Sequence, residues 1–321
     1  MKLKIVVVLL VLLLLCIMAV FYIQNRTVET FDNIKVDIGN ELSYYFYHLG
    51  LCILQKKDFE YNNLVTKKNS TMQEHFFFNA LPTYIKYEFD TIHDCFIKNG
   101  LSNENIHEKM GLIFDGLTAF ELFNNDRYLF WNCMKPLVHK ILDDGFQKSG
   151  LTKDIENPII HFRCADTPFL RYSGYHLQYY SFFKEALENI AKKTKKQINK
   201  VDLMSCVSHK ANETEKQSCS TYANSLQEYL NNNGYQTEIV CNSNIDDFAA
   251  MFYAPAVIST WSSFSFISGF FGNGIYISTE GDKGKLCSMC EDVTLYGYNL
   301  PHELVTDYNN TDDVVKLLYQ S

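Results

Sequence analysis

Proline and tryptophan are sparse in this chain, at 6 and 2 copies among 321 residues, and its 15 glycines follow no period. A collagen-like or proline-rich extended polymer is thereby excluded. Positive charge is also in deficit: 29 Lys and Arg stand against 37 Asp and Glu, a formal charge of −8. That balance argues against nucleic acid as a partner, because phosphate binding needs clustered cations. The chain has no tandem repeat and no long heptad run. It also lacks a G-x-G-x-x-G that follows a strand and opens a helix, which sets aside a dinucleotide-dependent oxidoreductase. Gly269, Gly272 and Gly274 have the wrong order and place for that motif.

What is abundant is apolar: 47% of the chain is hydrophobic and 15% of the chain is aromatic, enough for substantial cores. The length exceeds the roughly 100–150 residues of one typical domain, so two are expected. Residues 5–23, IVVVLLVLLLLCIMAVFYI, form an uninterrupted apolar run of the length a helix needs to cross a bilayer. A cleavable signal peptide is the alternative, but the run is too long and lacks an A-x-A-like cut site. Lys2 and Lys4 precede it, so the positive-inside rule predicts a cytosolic tail over 1–4, a signal anchor over 5–23 and type II topology. N-x-[ST] sequons at Asn69, Asn212 and Asn309 agree with an exported body, while a fourth at Asn25 lies almost against the membrane. Beyond Cys16 lie nine cysteines, of which Cys206 and Cys219 bracket one polar loop and form the preferred disulfide pair. Cys287 and Cys290 form a lone C-x-x-C with no second pair to complete a zinc site, so a disulfide or two thiols is the expected state.

A short stem over 24–32 leads into the body. Residues 33–38 alternate like a strand, Gly39-Asn40 reads as a turn, a helix follows, and 58–61 reads as a second strand. This pattern predicts a parallel α/β domain over 33–150. Residues 150–158 read as a linker ending in Asn157-Pro158. From 151 to 321 strands and helices alternate, the expectation for a doubly wound nucleotide-binding domain.

Three segments of this frame can carry chemistry. His161-Phe162-Arg163-Cys164-Ala165-Asp166 falls at the carboxyl end of the strand that opens the second domain, the edge where open α/β sheets bind ligands. A guanidinium there can grip a diphosphate and neutralise a departing nucleotide; equally, Arg163 and Asp166 can be a structural brace. Asp246 and Asp247 precede Ser262, Ser263 and Ser265, which fall where a strand turns into a helix. Hydroxyls and free helical N–H groups can converge on phosphate there, and an aspartate can accept the N1 and N2 edge of guanine. Their bland reading is helix capping. Gly39-Asn40 offers a turn whose missing side chain admits a sugar or phosphate.

In this order, the three segments resemble motifs of the fucosyltransferases of the α1,2/α1,6 and protein-O-fucosyl type. In that family a Gly-Asn turn opens the first domain, H-x-R-R-x-D opens the second, and an Asp followed by a Ser-Thr/Ser-Phe-Ser segment completes the donor site. Gly39-Asn40-Glu41-Leu42, His161 through Asp166, and Asp247 with Ser262-Ser263-Phe264-Ser265 match those places. The resemblance implies a GT-B-like α/β fold, with two Rossmann-like domains facing a cleft behind the anchor. It also implies GDP-fucose as donor, inversion at the anomeric carbon, a glycan or protein hydroxyl as acceptor, and no metal or other cofactor. The absence of a D-x-D triplet agrees with the last. The donor set it implies is Gly39, Asn40, His161, Arg163, Asp246, Asp247, Ser262, Ser263 and Ser265, with Arg163 and Asp166 catalytic. A type II anchor is what Golgi glycosyltransferases have. The chain departs from the family at Cys164, where the second motif arginine is missing, and Arg171 is the nearest substitute. General-base candidates are Asp166, Glu74 and His75. A transferase with another nucleotide-sugar donor and an inactive glycan-binding relative are the rival readings.

Overall fold

The computed structural model describes residues 38–61, 71–105, 125–164, 169, 176–206, 212–260, 262–278, 300, 305 and 311–320. The expected anchor, Asp166, Arg171, Asn69, Asn309, Cys287 and Cys290 lie outside the described residues. Among the described residues no helix is long and apolar enough to cross a membrane.

The second half is built on five short strands: β3 (Ile159–His161), β4 (Lys200–Met204), β5 (Gln236–Val240), β6 (Ala256–Ser259) and β7 (Ile275–Ser278). They form one sheet in the order β5-β4-β3-β6-β7, every pair parallel. Parallel neighbours need crossovers, and the helices between strands supply them: α5 (Tyr180–Thr194), α6 (Glu213–Asn232), α7 (Asn244–Tyr253) and α8. α8 opens as an α-helix over Ser263–Ser265 and continues with π hydrogen bonding over Phe266–Phe270. This sheet realises the α/β alternation expected after residue 151.

The strands read as continuous apolar runs because both faces of the sheet are buried. Ile159, Met204, Val257 and Tyr276 point into one core, while Ile160, Leu203, Ile258 and Ile277 point into another. The second core is closed by α5, α6 and the terminal α9 (Thr311–Leu318). α7 and α8 cover the first face together with helices from the first half.

Those helices are α1 (Ile38–Leu54), α2 (Met72–Ala80), α3 (Asp90–Lys98) and α4 (Asn125–Ser149). Leu42, Phe46 and Leu49 of α1, Phe77 of α2, and Trp131, Leu142 and Phe146 of α4 enter the same core as Ile159, Phe248 and Phe266. His139 of α4 packs its ring on Phe252 at 5.1 Å and its Nδ1 lies 2.8 Å from the Phe271 carbonyl oxygen. One hydrophobic core therefore runs across the expected boundary at residues 150 and 151, and residues from Ile38 onward form one compact unit.

The first half differs from its expected form. Gly39 and Asn40 lie in the first turn of α1 instead of a chain-reversing turn, the strand expected over 33–38 lies outside the described residues except for Ile38, and the 58–61 segment is β1 (Phe59–Glu60), paired antiparallel with β2 (Tyr84–Ile85). Among the described residues of the first half there is no parallel sheet. The reason lies in Gly39: an added Cβ would sit 2.4 Å from the Phe264 backbone nitrogen, so this glycine serves a close helix contact and not a reversal of the chain.

Candidate functional site

In the sheet, β3 is followed by a crossover to one side and, after β5, the chain returns to the other side at β6. The carboxyl ends of β3 and β6 thus flank the topological switch point, where open α/β sheets bind ligands. Arg163 leaves β3 there. Its backbone N–H donates to Thr260 Oγ1 at 2.8 Å, and its guanidinium Nη1 donates to Ser262 Oγ at 3.4 Å. Thr260 in turn donates its N–H to the His161 carbonyl at 3.2 Å. The guanidinium is half-buried and held over the first turn of α8.

Ser262 is the N-cap of α8, its Oγ accepting from the Phe264 N–H at 3.3 Å. A cation and the positive end of a helix therefore face the same point, an arrangement suited to a phosphate. Ser263 reaches across to the first half, donating to Asn40 Oδ1 at 2.6 Å. Ser265 has another task. Fully buried, it bonds Ser259 Oγ and donates to the Ser262 carbonyl, so it fastens α8 to β6 and presents no surface to a ligand.

His161 Nδ1 is buried without a hydrogen-bond partner, and its ring lies 5.9 Å from that of Phe264. Burial, with the neighbouring Arg163 charge, pulls its pKa down to about 3, so the ring is neutral at ordinary pH. At the carboxyl end of β4 the Ser205 hydroxyl is also buried and unpartnered.

Asp246 and Asp247 sit in the first turn of α7, as their position suggested, but each is already engaged. Asp246 forms a 2.6 Å ion pair with Lys153 and accepts from Ser243 Oγ at 2.6 Å; these bonds hold its carboxyl below the usual range. Asp247 is buried, which pushes its carboxyl up, and it accepts from the Asn242 backbone N–H and, at 3.0 Å, from Asn242 Nδ2. In this state it braces the β5–α7 turn.

The preferred Cys206–Cys219 pairing is corrected. Cys206 bonds Cys241, Cys164 bonds Cys219, and Cys95 bonds Cys133. The parallel register that sets Met204 beside Val240 carries Cys206 to Cys241, whereas Cys219 lies on the buried face of α6, in the same core as Ile160 and Cys164. Cys164, where the family has a second arginine, is thus a buried crosslink. Cys206, Cys241 and Asp247 offer ligand atoms within 4.8 Å of one another, but the two sulfurs are bonded to each other and are not thiolates. Cys52 is a buried free thiol.

Of the general-base candidates, Glu74 closes a capping box with Thr71, accepting the Thr71 N–H at 3.2 Å. It and His75 lie on α2, which packs against α4 and not at the switch point. Sequence reasoning missed Thr260, which positions Arg163, as well as Asn242 and Lys153. Thr260 adjoins the flagged serines, but only the β3–β6 pairing reveals its role. Asn212 caps α6 with its side-chain oxygen, accepting from the Glu215 N–H at 3.0 Å, so capping leaves its amide nitrogen out of use.

No protein-family model, no curated protein and no solved structure matches this chain.

Proposed function

We propose that the chain is a glycosyltransferase that moves fucose from GDP-fucose to a glycan or protein hydroxyl with inversion and without a metal. The observation that carries the reading is Arg163, fastened by Thr260 and Ser262 at the switch point beside the N-terminus of α8. A diphosphate leaving group needs that combination of a fixed cation and inward-pointing N–H groups as negative charge develops on it. In this reading the five-stranded sheet is the donor-binding half of a GT-B-like arrangement, and the helices of the first half contribute Asn40 to its rim. Three disulfides among the described residues support an oxidising compartment, in keeping with a luminal body behind a type II Golgi anchor.

The acceptor oxygen attacks the anomeric carbon, the bond from that carbon to the phosphate oxygen breaks, and Arg163 stabilises the departing diphosphate. Holding both substrates together supplies the orientation. Calorimetry with GDP, GDP-fucose, UDP and UDP-sugars, without added metal, tests the donor. We expect selective binding of GDP-fucose, lost by about tenfold to a hundredfold in Arg163→Ala, the loss of one charge-assisted contact of about 1.5–3 kcal/mol. Binding of a UDP-sugar instead points to the alternative donor class. No binding of any nucleotide sugar overturns the transferase reading and leaves an inactive glycan-binding relative.

A further inference from the structure

The Cys206–Cys241 crosslink differs from the other two in where it lies. Cys164 and Cys219 are both buried, and Cys133 is buried with its partner Cys95 half-buried, whereas Cys241 is exposed and Cys206 half-buried. The bond joins neighbouring parallel strands at the carboxyl edge of the sheet. There the Ser205 N–H donates to the Val240 carbonyl at 3.1 Å, continuing the β4–β5 pairing almost to the two cysteines. That hydrogen-bonded ladder holds the strand ends by itself, so the disulfide can open without the strands parting.

Beside the bond is a carboxyl group. Asp247 Oδ2 lies 3.3 Å from Cys206 Sγ, within reach of an S–H···O hydrogen bond once that sulfur carries a proton. Asp247 is only 3% exposed and is held by the backbone N–H and the Nδ2 of Asn242, the residue that follows Cys241. Burial raises its carboxyl and so makes it a stronger base than an exposed aspartate. Asp247 belongs to the first turn of α7, so the sulfurs lie near the positive end of that helix, which favours a thiolate.

An accessible sulfur, a shielded sulfur and a buried acid–base group against the shielded one are the parts that thiol–disulfide exchange uses. We propose that Cys206–Cys241 is an exchange site for an external dithiol, in which Cys241 is the sulfur attacked and Asp247 carries the proton of Cys206. This stands apart from the glycosyl-transfer reading. A thiolate of the dithiol attacks Cys241 Sγ and forms a mixed disulfide. The Cys206–Cys241 bond breaks, its electron pair leaves on Cys206 Sγ, and that sulfur takes a proton from Asp247. The second thiolate of the dithiol then attacks its own sulfur in the mixed disulfide, closing a disulfide in the dithiol and releasing Cys241. The dithiol is oxidised and the protein disulfide reduced; the two protons the dithiol gives up end on Cys206, by way of Asp247, and on Cys241. In the reverse direction Asp247 accepts the Cys206 proton as that sulfur attacks the mixed disulfide.

The test begins with the folded full chain and limiting dithiothreitol at neutral pH, the freed thiols being trapped with a maleimide and located by peptide mass spectrometry. We expect Cys206 and Cys241 to be labelled at least about tenfold faster than Cys95, Cys133, Cys164 or Cys219, the consequence of an accessible sulfur. Labelling of either other pair first, or of all three pairs together, overturns the proposal. The chain reduced in this way is then mixed with oxidised glutathione. Wild type should pass through a glutathione adduct on Cys241 and close, while Cys206→Ser should stop at that adduct. In Asp247→Asn the adduct forms at the wild-type rate but closure slows about tenfold, because an unassisted thiol is only a few per cent thiolate at neutral pH. An adduct on Cys206 in the wild-type chain, unchanged closure in Asp247→Asn, or an equal slowing of adduct formation and closure overturns the assignment. Should the unfolding temperature show that Asp247→Asn does not fold, the wild-type order of labelling and the position of the adduct still decide.

Discussion

At the scale of single residues, the switch point combines groups whose protonation is set by their surroundings. His161 is neutral in the fold because burial beside Arg163 depresses its pKa to about 3, against about 6.5 when unfolded. Between those values the unfolded chain binds a proton that the folded chain refuses, so stability falls as the pH drops below about 6.5. The slope approaches about 1.4 kcal/mol per pH unit before it ends near the folded value. Urea unfolding between pH 7.5 and 4.5 should show that decline, and His161→Gln should flatten it; an equally steep decline in the variant would assign it to other groups. Asp247, whose carboxyl is pushed up, acts in the opposite sense, favouring the fold at low pH and losing that contribution as pH rises. The sequence made His161, Arg163, Ser262 and Ser263 legible because they terminate apolar strand runs or open helices. Ser265 was legible as a residue but not in its role, since whether a hydroxyl faces a ligand or the underside of its own turn depends on side-chain direction.

Secondary-structure elements tell a divided story. The parallel strands could be read because each is a short apolar run between turn signals and amphipathic helices. Gly39-Asn40 could not, because glycine before a polar residue signals a turn locally. Only the position of α8, more than two hundred residues away in sequence, makes it a site of close helix approach. This gives a test whose sign decides. In a free helix, Gly39→Ala would stabilise by about 1 kcal/mol. Against the Phe264 backbone at 2.4 Å the new methyl must displace a helix, with an expected loss of about 1–3 kcal/mol. Denaturant midpoints distinguish the two outcomes, and a gain would mean that α1 and α8 do not meet. The disulfides were illegible for a related reason: their partners are fixed by strand register and helix face, whereas sequence distance suggested Cys206 with Cys219.

At the scale of the whole molecule, the expected division into two domains gives way to one core shared by α1–α4, α7, α8 and one face of the sheet. Residues 151–321 expressed alone would expose Ile159, Phe248, Phe252 and Phe266 on that face. We expect such a fragment to aggregate or to bind hydrophobic dye, whereas a chain from Ile38 onward remains monodisperse in size-exclusion chromatography. A soluble, cooperatively unfolding fragment would restore the two-domain division.

Biosynthesis meets the same shared core as a problem of timing. α1 to α4 leave the ribosome first, yet the sheet face that covers them is complete only when β7 ends at Ser278, roughly 130 residues after Ser149. At about 5–20 residues per second the aromatic faces of these helices wait on the order of ten seconds for their cover. Through that interval Phe46, Phe77, Trp131 and Phe146 present the kind of apolar surface that chaperones hold, before the chain has any site at all.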